Sequence, residues 1–168
     1  MTTQDTDPGK IAAQLAGAMR PLGPGSMAAL RRMEPQVPST VFWRIAAQAI
    51  PEAISDTYPD RITRLAHLTK LLAIAGAIDP GSTGHTLGKA LKTADVSEMR
   101  LERLLATANE DFGDFLERTA RRLRNQGVAI KPSALGWACL APNDQTRRRI
   151  ARDFYLTTAK TATDTPDA

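Results

Sequence analysis

Residues able to do covalent or metal chemistry are scarce in this chain. His67 and His85 are its only histidines and Cys139 its only cysteine. Neither histidine sits in a ligand spacing such as His-x-x-x-His, and a single thiol excludes an internal disulfide or a multi-thiolate metal site. Cys139 lies among Trp137, Ala138 and Leu140, which reads as a small buried hydrophobe. Gly81-Ser82-Thr83-Gly84 lacks the Lys-Ser/Thr that a phosphate-cradling loop requires. Glu110, Asp111, Asp114 and Glu117 resemble a Mg²⁺ cluster. Acids at the start of a helix also favour its dipole, and Asp114 and Glu117 precede Arg118 and Arg121 by four residues. No nucleophile with a matching base stands out, so no enzyme, metal site or cofactor is expected.

What remains is arginine, at 16 residues against 6 lysines. Its planar guanidinium matches the geometry of phosphate oxygens. Three groups recur on the polar sides of amphipathic patterns: Arg31 with Arg32, Arg118 with Arg121 and Arg122, and Arg148, Arg149 and Arg152. The last belongs to Arg147-Arg148-Arg149-Ile150-Ala151-Arg152-Asp153-Phe154-Tyr155, which wound as a helix sets Ile150, Ala151 and Phe154 opposite the arginines. Arg44 projects away from an apolar stripe, Lys89 is exposed on a short helix, and Arg100 and Arg103 share a polar flank. Such faces hold phosphates without reading bases. About six contacts would lose roughly 10³-fold in affinity between about 50 and 200 mM salt. Aromatic residues are 5% of the chain, so backbone tracking is expected rather than base capture. A solvated helix face, or one paired with acidic partner proteins, would present the same residues.

The elements that must position these side chains are all helical. Phe42, Ile45, Ala46, Ala49 and Ile50 form one stripe behind a cap at Ser39 or Thr40, and Pro51 ends it. Ser26 is read as the cap of a helix bearing Met27 and Leu30 inward. Asp95 with Glu98 is read as a capping box for a helix with Leu101, Leu104, Leu105 and Ala108 inward. Further helices are expected over 10–19, 60–77, 87–92, 110–125, 132–140 and 144–160. The helix over 110–125 carries Phe112, Phe115, Leu116, Thr119, Ala120 and Leu123 on one side. No window alternates with period two, so the class is all-α, a two-lobed helical bundle. The lobes are placed at 10–92 and 95–160, with flexible tails at 1–9 and 161–168.

Net charge is +4 and the pI about 9.6, with 10 basic and 7 acidic residues up to Lys92 and 12 and 11 beyond it. An anionic surface must therefore be met by local clustering. The polar, acidic start is no signal peptide, and no run approaches the ~18 apolar residues of a membrane span. A cytoplasmic protein without membrane contact is expected.

Assembled in order, several of these positions resemble the CasB family, the small subunit of the type I-E CRISPR complex Cascade. The markers are Leu30-Arg31-Arg32, Phe42-Trp43-Arg44-Ile45, Leu87-Gly88-Lys89-Ala90-Leu91, Ser97-Glu98-Met99-Arg100 with Arg103-Leu104-Leu105, and Ala151-Arg152-Asp153-Phe154-Tyr155. The resemblance covers about residues 24–156. Ile150 departs from the tryptophan expected ahead of the last string, and a large apolar residue fills the same slot. The resemblance implies a noncatalytic helical subunit, present as two copies beside other Cascade subunits and crRNA. It also implies that the protein stabilises the target and displaced DNA strands of an R-loop. By position, Arg31, Arg32, Arg44, Lys89, Arg100 and Arg103 match basic family positions. Arg121, Arg122, Arg148, Arg149 and Arg152 are added from face geometry, with lobe packing or subunit contacts the alternative for Arg44 and Arg152.

Overall fold

Proline and small polar caps divide the chain into helices. The computed structural model describes residues 7–56, 58–78 and 84–163. Its elements are α1 (Pro8–Met19), α2 (Pro24–Arg32), α3 (Thr40–Ala49), α4 (Pro51–Ile54), α5 (Pro59–Ala75), α6 (Leu87–Thr93), α7 (Glu98–Ala106), α8 (Asn109–Asn125), α9 (Pro132–Leu140) and α10 (Asp144–Thr163). Five of them open on proline, which needs no amide partner there and is already set to the helical φ. Asp7, Ser39, Ser97 and Asn143 accept from the amides of Lys10, Phe42, Arg100 and Thr146 at 3.0–3.3 Å. Gly76, at φ 67°, ends α5 in the left-handed conformation.

The all-α class stands, with local corrections. Ser26 lies inside α2, which starts at Pro24 with Gly23 as its cap. Asp95 does not cap α7: it occupies the left-handed region at φ 58°, and Ser97, two residues nearer the helix, takes the role. Residues 7–9 belong to α1 and its cap, and α10 continues through Thr163, so both expected tails are partly helical. Of Gly81-Ser82-Thr83-Gly84, only Gly84 is among the described residues, and it is buried. His85 pairs with the 128–130 connector: its amide donates to Ala129 O at 3.0 Å and its carbonyl accepts from Lys131 N at 2.9 Å. This isolated bridge is the sole extended pairing among the described residues.

α5 sits at the centre. Ile62, Leu65, Leu68, Leu71, Leu72 and Ile74 are all buried, and a helix apolar around most of its girth must lie inside. Its buried Thr69 is satisfied by donating its hydroxyl to Leu65 O at 2.9 Å. Around it pack α1, α2, α8 and α9. Two further pairings, α1 on α9 and α6 on α10, are the most extensive, and each is built on a glycine. A Cβ at Gly136 would strike Pro8 O, and one at Gly88 would strike Ile150 O and Phe154 N. Absence of a side chain thus lets two backbones meet. These contacts, with α5 on α8, join segments on either side of residues 92–95 into one hydrophobic cluster. Phe42, Phe112 and Phe154 are fully enclosed in it, each stabilising by roughly 1.5–3 kcal/mol.

Candidate nucleic-acid interface

α7 and α8 each bury one face and leave the other to arginine. Leu101 and Leu104 turn α7 inward, while Arg100 and Arg103 stay exposed. In α8 the stripe Phe112, Leu116, Ala120 and Leu123 is buried, and Arg118 and Arg122, one turn apart, come out on a single flank. The two flanks border one groove of about 680 Å³, lined by Arg100, Arg103, Arg118 and Arg122. No lining residue is acidic. Among the described residues, no carboxylate lies within ion-pairing distance of these four.

The side chains are held partway. Arg118 donates from Nε to Asp114 O at 3.4 Å and lies 5.7 Å from the centre of the Phe115 ring. Arg122 is half-buried; its Nη2 reaches Ala94 O at 3.5 Å, while its Nε is buried with no partner. A buried guanidinium donor without an acceptor costs on the order of 1–3 kcal/mol. Four like charges around one concavity raise the local potential for anions.

The remaining expected site residues are distributed differently. Arg121, on another flank of α8, pairs with Glu117 at 2.8 Å. The same carboxylate lies 3.4 Å from Lys70 and 3.7 Å from His67, both on α5. Burial pushes the Glu117 pKa up, but the Arg121 hydrogen bond and the Lys70 charge outweigh it and leave it lowered. For His67 burial wins over the attraction of Glu117, and its pKa is lowered. Arg152 pairs with Asp153 through Nη2 at 2.8 Å. Arg149 stacks 5.3 Å from the Trp137 ring, and Arg148 is exposed beside it on α10. Lys89 is exposed on α6, which runs against α10. Arg31 and Arg32 end α2, half-buried and exposed respectively, and Arg44 is exposed on α3 next to a Trp43 that is 38% accessible.

Arg147 has a role that its place in the arginine run did not reveal. It donates to Leu105 O at 2.8 Å, Leu104 O at 3.4 Å, Pro142 O at 3.3 Å and Asn109 Oδ1 at 2.8 Å. Its guanidinium also lies 4.5 Å from the centre of the Phe112 ring. It therefore closes the C-terminal carbonyls of α7 and ties α7, α8 and α10 together. Of Arg118, Arg121 and Arg122, grouped together in sequence, only Arg118 and Arg122 line the groove. The i, i+4 spacing of Arg118 and Arg122 was the available signal.

A second cavity, about 510 Å³ between α5, α8 and α9, holds His67 and Cys139. Burial pushes the Cys139 thiol up to about 12, and Sγ donates to Arg64 O at 3.6 Å. A thiol so protonated is a poor nucleophile. Among the described residues, no group of three His, Cys, Asp or Glu side chains is arranged to hold a metal ion. No helix among them is long and apolar enough to cross a membrane.

The family model for CRISPR-associated protein Cse2 matches residues 26–155. A chain in the crystal structure of E. coli Cascade bound to a PAM-containing dsDNA target shares the fold, with a TM-score of 0.66 at 22% identity. That match covers 87% of this chain and 95% of the other. No curated protein matches the chain in sequence. With more than half its length matched, the chain belongs to the Cse2 family, the CasB small subunits of type I-E Cascade that its sequence markers resemble.

Proposed function

We propose that the protein is a noncatalytic Cascade subunit that grips nucleic-acid backbone through the α7–α8 groove and so steadies a crRNA-guided R-loop. The observation that carries this reading is the set of four arginines around one groove with no acid on its walls. Exchanging a DNA duplex for a guide–target hybrid is nearly balanced in energy, so a few phosphate contacts tip it. The strands served are the target and displaced DNA. Its partners are the crRNA and other Cascade subunits, with two copies of this chain side by side. Lys89 on α6 and Arg148 and Arg149 on α10 are further exposed cations.

The test is a gel-shift series with single-stranded DNA across about 50–200 mM salt. Charge reversal at R100E/R118E should weaken the shift strongly and flatten the salt slope by about two. An unchanged slope in the folded variant would sink the reading.

A second role, contact with acidic partner proteins, is favoured at one place. Arg44 stands beside the exposed Trp43, and an aromatic next to arginine is typical of protein–protein contacts. R44A should then weaken assembly with partner subunits while leaving affinity for free strands unchanged.

A further inference from the structure

The α7–α8 groove is more than a basic rim. Beneath the rim lies hydrocarbon from Leu91, Val96, Leu101 and Leu104, which are nearly covered, and from Phe115, which is partly open. Backbone tracking alone does not use such a floor, because phosphates and sugars gain nothing from buried aliphatic surface. An apolar peptide, conversely, would not use four guanidiniums. An unstacked nucleotide uses both, since its flat base is apolar on its faces while its phosphate is anionic. The groove also falls in the size range of small-ligand pockets. At one end Asn125 and Gln126 supply side-chain amides, which can donate to and accept from a base edge.

We propose that this groove takes a single extruded base of a single-stranded segment, its ring lying on the floor against Phe115. The flanking phosphates then sit on Arg100, Arg103 and Arg118, with the half-buried Arg122 lining the same groove. Base capture here revises the expectation of pure backbone tracking. The expectation rested on scarce aromatics, whereas the floor is mainly aliphatic and comes from three separate segments of chain. A paired duplex keeps its bases stacked and cannot fill the groove, so the site selects unpaired strands. This inference rests on the backbone-binding reading, and its test separates the two.

The experiment compares the full-length protein bound to a single-stranded oligothymidine and to an abasic oligonucleotide of equal length and charge. Both are measured at the same salt. The intact oligonucleotide should bind about tenfold tighter or more. F115L should bring that ratio near one. A 5-iodouracil oligonucleotide should photocrosslink within residues 96–126 of the wild-type protein, which keeps the test valid if F115L misfolds. Equal affinity for intact and abasic strands would overturn base capture and leave backbone binding standing. Absence of binding to either would overturn both. Competition by polyglutamate as effective as by the oligonucleotide would overturn base capture and point to an acidic protein segment.

Discussion

Two flanks of α8 carry the same residue type in opposite circumstances. On one, Arg118 and Arg122 face a groove whose walls hold no acid. On the other, Arg121 meets Glu117, which also draws Lys70 and His67 from α5. The first flank keeps its charge for a partner, and the second neutralises it within the fold. Arg147 is a third case, spent on backbone carbonyls and an aromatic ring. Counting arginines therefore overstates binding capacity; what matters is which acceptors the neighbouring helix brings within reach.

The difference between spent and unspent arginines can be broken by substitution. The largest effect is expected at the most heavily engaged one. R147A leaves the last carbonyls of α7 without their donor and should cost about 3 kcal/mol, read as a shifted denaturation midpoint. Strand affinity of the folded fraction should be unchanged. Next, the triple variant R100Q/R103Q/R118Q should weaken single-strand binding by about 30- to 100-fold at low salt with an unchanged thermal midpoint. Equal losses from R121Q would erase the distinction between the flanks.

A smaller effect concerns pH. The lowered His67 pKa means that the unfolded chain binds the extra proton first, so stability falls as pH drops below about 6.5. Glu117 acts in the same direction from about pH 4.5 downward, because its folded pKa also lies below the unfolded value. Denaturation across pH 7 to 4 should steepen in those two windows. H67Q should shrink the first, to which His85, also lowered by burial, contributes the rest, and E117Q should flatten the second. Smallest of all, R152Q removes a pair whose arginine is 61% exposed and should change stability by under about 0.5 kcal/mol.

Most of the secondary structure was legible along the chain. The stripe in α8 and the apolar girth of α5 follow from a 3.6-residue period that any short window contains. Caps were less legible where two candidates stood close together. Asp95 and Ser97 both suit an N-cap, and backbone dihedrals decided for Ser97 by putting Asp95 in a left-handed turn. Ser26 lost to Gly23 because Pro24 already fixes a helical φ. For the site, Arg100 and Arg103 were found as a pair and Arg122 as a face residue. Their meeting across a groove was invisible, since it depends on how α7 and α8 are set against each other. The role of Arg147 was invisible for the same reason: its acceptors lie about forty residues earlier in the chain.

The sequence by itself determined the helical class, the apolar faces and the family, because these rest on local periodicity and on the order of short strings. Tertiary structure alone decided which arginines keep their charge for a partner and which neutralise it internally. Availability of a guanidinium is a property of the acceptors around it, and those acceptors come from helices that only packing brings together.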